Sequence, residues 1–513
     1  MMRAGTIVAL VGWLGCGGSS PSPRPVTPKP AVVTAPARPA APAPALVAVA
    51  EPAPVPEPTP PQAPLVFPVA WMKTAASTRN FAEAVAIRTD GSIVVAGSGD
   101  VPAWVKKSAR PAKSRATVFV ASLDASGAAL WVQGFEAGDG TVRAAQALPD
   151  GSVVVCGDFD GTLRLDRAAL ATARGNRDLF IAALGLDGKL RWVFAAGGKD
   201  YDSCHDVALL PDGRIVFAGT VTGDVQFGEL GPRALGGRDA FVGVLDAAGH
   251  PQWVSRGGSA ESDEVRAVAV AGDKIYITGW IGAAATFGGH AVAFSGRVAG
   301  VPPRTSNPSS VFVARYGING DTAWATAFGA VESFDRGWSA AGLSDGGVAI
   351  VGDYREHAFV ARYGADGRRR WLREAGTPSA ARDVLALDGD RLLVAAYWGW
   401  PQGGPVLELA GTSEKRTLQA QGSDTVIAQY AADGELLAAG RLAGATPHHN
   451  DERNGSELEI CAMARSPAGR IALAGRLWGS AFVDPGDLFR PTKARVAAVH
   501  DQDTVVIMLD PPE

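Results

Sequence analysis

The stretch "VALLPDGRIVFAG" (207–219) consists of two apolar segments joined by a turn that contains Asp-Gly. Apolar residues that alternate on both sides of an Asp-Gly turn predict a β-hairpin. Six further segments share this form, although the later ones have degenerate turns. They are "VAIRTDGSIVVAG" (85–97), "AQALPDGSVVVCG" (145–157), "AVAVAGDKIYITG" (267–279), "AAGLSDGGVAIVG" (340–352), "VLALDGDRLLVAA" (384–396) and "MARSPAGRIALAG" (463–475).

A second kind of hairpin alternates with the first. In "DAFVGVLDAAGHPQW" (239–253), the second strand ends in Trp253, four residues after the turn glycine. Six complete copies occur, and the last of them (425–438) has Ala438 where Trp is expected. An amphipathic indole at the end of an outer strand is predicted to pack between neighbouring units. The tryptophans at this position are Trp71, Trp131, Trp192, Trp253, Trp324 and Trp371.

The seventh copy of the second hairpin is divided between the two ends of the repeat region. The chain ends in "DTVVIMLDPPE" (503–513), which is one strand without a following partner, and "FPVAWMKTA" (67–75) supplies the missing strand. Four-stranded units repeated seven times bury their faces only by stacking on each other. The sequence therefore predicts an all-β, seven-bladed β-propeller over residues 65–513, closed by pairing of its terminal strands, with Trp71 close to Ile507.

The unit "AVAIRTDGSIVVAG…VFVASLDASGAALW" (84–131) resembles the bacterial propeller repeats sometimes called delta-60 repeats. The resemblance covers nearly the whole chain beyond the N-terminal region, and it implies a propeller fold and export. It implies almost nothing about activity, because propellers support many unrelated functions.

The N-terminus has the pattern of an export signal. Arg3 precedes an apolar run to Leu14, which is too short to span a bilayer and predicts a signal peptide over residues 1–16. "WLGC" (13–16) resembles the lipobox of bacterial lipoproteins, although Trp13 and Leu14 differ from the residues that this family prefers. The resemblance implies lipid attachment at Cys16. The alternative is an ordinary secretory signal in which Cys16 has no special role.

Residues 17–64 contain 16 of the 35 prolines, together with Ala, Ser and Val, and neither Trp nor Tyr. Such a segment buries no core and is predicted to be an extended, disordered tether. At ~3.1 Å per residue it reaches on the order of 100 Å. A lipid anchor and a long tether together predict a protein held at a bacterial envelope membrane, with the outer membrane as the expected location.

The net charge of −4 and the pI of about 6.0 exclude a basic nucleic-acid-binding surface as the default function. Besides Cys16 the chain has Cys156, Cys204 and Cys461, which allow at most one disulfide, and the sequence does not say which of them pair. Their spacing matches no metal-binding motif.

The inner strands of a propeller line its central channel, so aligned copies predict which residues meet there. Charged residues gather at one end, and we predict a ligand site at this channel mouth. The alternative is that these residues form a solvated rim and pair with each other. The alignment gives Glu83, Arg143, His205, Val265, Trp338, Arg382 and Cys461 in one column, and Ala84, Ala144, Asp206, Arg266, Ser339, Asp383 and Ala462 in the next.

Other candidate sites carry weaker signals. "KDYDSCHD" (199–206) contains potential metal ligands, but adjacent strand residues point to opposite faces. His448 and His449, and the basic run 106–115, are interpreted as exposed loops. A further set of aromatic residues follows the second strands. If these side chains are exposed, sugar rings could stack on them; the alternative is that they pack between blades. The set is Phe159, Trp280, Tyr354, Tyr397, Trp398, Trp400 and Trp478.

No phosphate-binding loop, no G-x-S-x-G motif and no H-E-x-x-H motif is present, so the sequence assigns no catalytic residue, metal or cofactor. The favoured hypothesis is a monomeric binding or interaction module that contacts the membrane through its lipid and binds a protein or glycan partner. The contact residues would be Glu83, Arg143, His205, Asp206, Arg266, Trp338, Arg382 and Asp383. The alternatives are a carbohydrate-binding lipoprotein, and an envelope hydrolase or oxidoreductase with its site at the channel mouth.

Overall fold

The computed structural model describes residues 62–75, 81–99, 117–296, 308–398, 406–412, 415–419, 424–444, 457–498 and 503–512. The predictions for the signal peptide, for Cys16, for nearly all of the tether, for loops 106–115 and 447–452 and for Trp400 lie outside these residues.

The described part of the chain forms seven antiparallel sheets that are each built on four main strands, as predicted, and three of these sheets have two additional strands. In each sheet the first strand lies innermost, and the inner strands of successive sheets contact each other around a ring. These sheets are the blades of a seven-bladed β-propeller.

Each blade consists of four main strands, named from the innermost outwards. Blade 1 has β2 (Phe81–Ile87), β3 (Ile93–Ser98), β4 (Val118–Leu123) and β5 (Ala129–Glu136). Blade 2 has β6 (Thr141–Ala147), β7 (Val153–Phe159), β10 (Asp178–Leu184) and β11 (Leu190–Ala196). Blade 3 has β12 (Ser203–Leu209), β13 (Ile215–Thr222), β14 (Arg238–Leu245) and β15 (Pro251–Gly258). Blade 4 has β16 (Glu264–Ala271), β17 (Lys274–Ile281), β20 (Ser310–Gly317) and β21 (Thr322–Phe328). Blade 5 has β22 (Arg336–Gly342), β23 (Val348–Tyr354), β24 (His357–Tyr363) and β25 (Arg369–Pro378). Blade 6 has β26 (Ala380–Ala386), β27 (Leu392–Trp398), β30 (Asp424–Tyr430) and β31 (Leu436–Gly444). Blade 7 has β32 (Glu457–Arg465), β33 (Ile471–Trp478), β36 (Asp503–Leu509) and β1 (Val69–Ala75).

Within the described residues, four additional hairpins arise from the connections between the second and third strands of a blade. Three of them extend the outer strand of the preceding blade: the hairpin of blade 2 pairs with β5, that of blade 4 with β15, and that of blade 7 with β31. They therefore cover sheet edges that would otherwise expose unpaired backbone groups. In order they are β8 (Thr162–Leu165) with β9 (Ala168–Thr172), β18 (Ala285–Phe287) with β19 (His290–Val292), and β34 (Ser480–Asp484) with β35 (Arg495–Ala497). The fourth, β28 (Val406–Ala410) with β29 (Lys415–Gln419), contacts β25.

A short 3₁₀ turn, Asp388–Asp390, completes the regular structure. None of the described residues belongs to a helix with the length and apolar character needed to cross a membrane.

The two ends of the repeat region close the ring. Strand β1 lies antiparallel to the C-terminal strand β36, with Trp71 opposite Met508 and Met72 opposite Ile507. The first described strand is therefore the outermost strand of the last blade, and the predicted closure is confirmed.

The core consists of seven apolar clusters, one between each pair of neighbouring blades. The cluster at the closure packs Val506 and Met508 of blade 7 against Val95 and Phe119 of blade 1. Each blade thus buries both of its faces, as its apolar strand pattern predicts.

The repeated tryptophans join neighbouring blades. The indole Nε1–H of Trp131 in blade 1 donates to the carbonyl oxygen of Leu186, in the outer turn of blade 2, at 2.7 Å. The turn glycine, Gly188, has φ +79° and lies against the same indole ring, where a Cβ atom would come within 2.7 Å. Five other tryptophans repeat this bond at 2.9–3.1 Å: Trp71 to Ala125, Trp192 to Ala247, Trp253 to Ile318, Trp324 to Ala365 and Trp371 to Ala432. The predicted packing role is confirmed.

The same contact explains Ala438, which replaces the expected tryptophan in blade 6. The next blade is blade 7, whose outer hairpin is formed by the two terminal strands β36 and β1. These strands are not joined by a turn, so a tryptophan at position 438 would have no turn carbonyl to reach.

Candidate functional site

Every inner strand contains one β-bulge near the end at which the strand begins. In β12 the pairing with β13 passes from Cys204 directly to Asp206, so His205 is the extra residue. A bulge leaves its extra residue unpaired and redirects the side chain. We call the seven extra residues the mouth ring: Glu83, Arg143, His205, Arg266, Trp338, Arg382 and Cys461.

A glycine on the second strand faces the bulge in six of the seven blades. A Cβ atom on Gly157 would lie 1.9 Å from the carbonyl oxygen of Thr141, so no larger residue fits this backbone. The other five show the same approach to backbone carbonyl oxygens, at 1.9–2.0 Å, whereas blade 6 carries Ala396. In six of the seven repeated hairpins the final glycine therefore marks the place of the bulge: Gly97, Gly157, Gly219, Gly279, Gly352 and Gly475.

One assignment from the alignment was wrong. We expected Val265 in the same column as His205, but Val265 is fully buried in the core between blades, and Arg266 occupies the mouth ring. The cause is the turn of blade 4, in which Val270 pairs with Ile275. The equivalent turns are one residue longer, so an alignment on the apolar segments moves the inner strand of blade 4 by one position.

The mouth ring surrounds one end of a channel cavity of about 400 Å³. The structure brings all of the predicted contact residues to the wall of this cavity: Glu83, Arg143, His205, Asp206, Arg266, Trp338, Arg382 and Asp383. An outer chamber of about 280 Å³ lies at the mouth itself, where Phe81, Glu459 and Arg476 join the ring residues.

A second set of side chains flanks the mouth ring, and the sequence interpretation missed it. Each ring arginine is paired with a carboxylate of this set. Arg266 Nη2 lies 2.6 Å from Glu264, Arg382 Nε lies 3.2 Å from Glu459, and Arg143 Nε lies 3.5 Å from Asp158. The ring residues therefore do make ion pairs, as the alternative proposed, but with flanking residues.

In each blade the flanking set has two residues. One follows the glycine that faces the bulge (Ala396 in blade 6), and the other pairs with it on the inner strand. The sequence carries a visible signal for part of it, since "GDF" (157–159) and "GDY" (352–354) place an aspartate at the same position of two repeats. The set is Ser98 with Phe81, Asp158 with Thr141, Thr220 with Ser203, Trp280 with Glu264, Asp353 with Arg336, Tyr397 with Ala380, and Arg476 with Glu459.

Three guanidinium groups converge on one indole at the mouth. Arg266 and Arg382 each lie 5.0 Å from the ring centroid of Trp338, and Arg336 lies 5.2 Å away. The Trp338 Nε1–H donates to the carboxylate of Asp353, and the ring of Trp280 packs edge-on at 5.7 Å. Such contacts stabilise cations individually, but they also hold three like charges close together.

Glu83 is the one carboxylate in the mouth ring. Burial raises the pKa of Glu83 to about 7, and the Arg143 guanidinium opposes this increase. The Ser98 hydroxyl lies 3.4 Å from its Oε2 atom. Glu83 therefore changes charge close to neutral pH.

His205 is buried and uncharged. Its Nδ1 atom lies 2.6 Å from the carbonyl oxygen of Val265, so this nitrogen is the donor and Nε2 is the acceptor. Burial, and secondarily the nearby Arg266, lower the pKa of His205 well below its usual value.

Asp206 and Asp383 lie below the ring and join blades. Asp206 accepts backbone N–H groups from Val207 and Val268, both at 2.8 Å, and thereby links blades 3 and 4. Asp383 accepts the backbone N–H of Met463 in blade 7 at 2.5 Å, as well as the N–H of Val384 and the hydroxyl of Ser339. Burial raises the pKa of Asp206 to about 7 and that of Asp383 to about 6.

The aromatic residues after the second strands do not form one exposed surface. Phe159 and Trp398 are buried between blades, and Tyr354 packs against Phe328. Trp280 belongs to the mouth, and the half-buried Trp478 lies beneath Arg476.

The side chains of "KDYDSCHD" also point in different directions, because Asp202 and Cys204 are buried while His205 and Asp206 face the channel. Within the residues that the structure describes, no three His, Cys, Asp or Glu side chains are arranged to hold a metal ion. Cys156 and Cys204 are neighbouring buried thiols, and burial, followed by contact with Cys204, raises the pKa of Cys156.

Comparisons with known proteins add only distant similarities. No protein-family model matches the sequence, and no curated protein sequence matches it significantly. A Bacteroides caccae protein of unknown function matches with a TM-score of 0.31 and 11% identity, over 67% of this chain and 92% of its own. A Xanthomonas campestris gluconolactonase matches with a TM-score of 0.30 and 15% identity, over 68% and 97%. A catalytically inactive Staphylococcus aureus virginiamycin B lyase, solved with quinupristin, matches with a TM-score of 0.30 and 9% identity, over 85% and 98%. At these values the similarities say nothing about what this chain binds.

Proposed function

We propose that this protein is a binding module that holds a ligand, or one group of a larger partner, at the mouth ring of its propeller. The observation that carries the proposal is the set of seven bulges, one in each blade, which turn seven different side chains towards one chamber. A bulge interrupts strand pairing, and bulges are frequent next to functional sites.

The chemistry of the ring favours binding over catalysis. Burial raises the pKa of the Cys461 thiol to about 12, so this group stays protonated and is a poor nucleophile. His205 donates one ring nitrogen to a backbone carbonyl, and the oxygens of Asp206 and Asp383 accept backbone N–H groups. These groups are committed to the structure of the channel wall.

A carbohydrate-binding site is supported less well. Sugar rings stack on exposed aromatic faces, but the ring of Trp338 is already contacted by Arg266 and Arg382. Of the other candidates, Phe159 and Trp398 are buried.

The proposal includes a location. The lipobox-like "WLGC" (13–16) and the proline-rich segment that follows it support a lipid-anchored protein of the bacterial cell envelope. The tether would then allow the propeller to search for its partner at a distance from the membrane.

Photo-crosslinking tests the binding site. A photoreactive aromatic amino acid is placed at Trp338 in one variant of the full chain. The control has it at Leu186, an exposed residue of an outer turn at the opposite end of the strands. After irradiation of cells, adducts are identified by mass spectrometry. We expect adducts from position 338 that position 186 does not give. Equal adducts from both positions, or none from 338, would overturn the proposal.

A further inference from the structure

We infer that the group bound at the mouth ring is an oxyanion, a phosphate or a carboxylate, which lies between Arg143, Arg266 and Arg382. This inference rests on the proposed function, because it specifies the ligand class of the same site. It is carried by the placement of the three arginines, by the position of their carboxylate partners and by the donors that remain without acceptors.

The three arginines alternate around the ring, in blades 2, 4 and 6. Arg266 and Arg382 both contact Trp338, and Arg336 approaches the same indole from the flanking set. Charges of the same sign repel each other strongly where water is partly excluded. The pKa of Arg266 is lowered to about 10. Burial is the largest cause, and the positive charges of Arg143, Arg336 and Arg382 add to it, while the negative charge of Glu264 opposes it.

The carboxylates that pair with these arginines do not lie in the channel. The three arginines line both the channel cavity and the outer chamber, whereas Asp158 and Glu264 line neither and Glu459 lines only the outer chamber. Each arginine is therefore held by its partner while 24–30% of its side chain stays exposed. Ion pairs of this kind orient a guanidinium and use only part of its five N–H donors, so the others can bind a ligand.

The guanidinium donors are incompletely used. An arginine has five N–H donors. Arg143 and Arg382 contact their carboxylate partners through Nε, and within the described residues neither arginine forms a hydrogen bond through its Nη groups. Guanidinium groups bind carboxylates and phosphates through paired, charge-assisted hydrogen bonds. An oxyanion in the chamber would supply acceptors that the protein does not.

The remaining ring residues are compatible with an anion. His205 is neutral, and Trp338 and the Cys461 thiol carry no charge. Glu83 is the exception, but its pKa of about 7 allows it to lose its charge by taking up a proton. The charged groups that face Glu83 are Arg143, Asp158 and Arg476, and the protonated Cys461 thiol lies nearby.

This arrangement predicts the direction of a pH effect. As the pH falls from 8 to 6, Glu83 becomes neutral and stops competing for Arg143, so the affinity for an oxyanion should increase. Sulfate is a suitable probe because its own charge stays constant over this range.

The experiment titrates sulfate, inorganic phosphate and citrate into the full chain, with sodium chloride at matched ionic strength as the reference. Binding is measured by calorimetry and by tryptophan fluorescence, since Trp280 and Trp338 lie at the site. We expect saturable binding with a Kd on the order of 1 mM or lower for at least one of the three oxyanions.

Variants locate the site. Arg266→Gln and Arg143→Gln should each weaken binding by at least about tenfold. The Arg143 side chain is 30% exposed, so its replacement should leave the fold intact even where a change at Arg266 does not. Arg368→Gln is the matched control, because Arg368 is exposed in an outer turn at the opposite end of the strands. Glu83→Gln should strengthen sulfate binding at pH 8 and reduce its pH dependence, and the remaining dependence is expected from Asp206, whose pKa burial also raises to about 7.

The outcomes separate the two claims. Absence of saturable binding for all three oxyanions would overturn the inference, as would equal losses in Arg143→Gln and Arg368→Gln. Specific adducts at position 338 without oxyanion binding would support the proposed function and refute only the inference that the ligand is an oxyanion. Oxyanion binding without such adducts would refute the partner at the mouth while supporting the arginine site.

Discussion

Closure of the ring by β36 can be tested by removing residues 503–513. This strand lies between β33 and β1, and it is the only described strand through which the N-terminal strand joins blade 7. The truncated protein would retain six complete blades and a seventh with two strands. Its first and last blades would then meet across an open joint.

The size of the effect follows from burial. Ile507, Met508 and Leu509 are each 0% exposed. Truncation of a buried Ile, Met or Leu to Ala typically costs about 2–5 kcal/mol. These three residues therefore account for about 6–15 kcal/mol, which is comparable to the total stability of a typical domain, about 5–15 kcal/mol. We expect the truncated chain to lose its cooperative unfolding transition.

The assay is denaturant unfolding followed by circular dichroism. The control chain lacks only residues 511–513, which follow the strand, and it should unfold at the same denaturant concentration as the full chain. The single change Ile507→Ala should shift the midpoint in the same direction as the long truncation. A chain without residues 503–513 that unfolds at the midpoint of the full chain would refute the closure by paired termini.

Three further predictions concern packing, pH and the anchor. Trp371→Phe removes the indole donor to Ala432 and should lower the free energy of unfolding by about 1 kcal/mol. Gly434→Ala should lower it more, because Gly434 has φ +86° and a Cβ atom would lie 2.8 Å from the Trp371 ring. Thermal unfolding measures both, and an unchanged midpoint in Gly434→Ala would contradict the packing. Burial raises the pKa of Asp202 and of Asp263 to about 6. Between about pH 4 and pH 6 the native state therefore binds more protons than the unfolded state. The free energy of unfolding should fall as the pH rises through this range. Denaturant midpoints should fall less steeply with pH in Asp263→Asn, and a midpoint that rises with pH in the unmodified chain would show the sign to be wrong. Cys16→Ser should move the protein from the membrane fraction to the soluble fraction in cell fractionation, and unchanged membrane partitioning would exclude the lipid anchor.

The mouth shows where prediction from sequence was limited. Aligned repeats correctly placed Glu83, Arg143 and His205 in one ring, because these residues precede similar apolar segments of equal length. The alignment failed at Arg266, because a turn that is one residue shorter moves the bulge without changing the apolar pattern. The pairing of Arg382 with Glu459 was invisible for a different reason, since these residues belong to different blades and are distant in the chain.

The sequence by itself determined the number of blades, the closure and the position of the tryptophans. These features follow from local sequence patterns: alternating apolar residues, turn glycines and a repeat whose copies can be counted. Only the tertiary structure decided which side chains reach the channel and what surrounds them. The position of a bulge depends on the register between two strands, and an ion pair at the mouth depends on how neighbouring blades pack, so neither is set by any single segment of the chain.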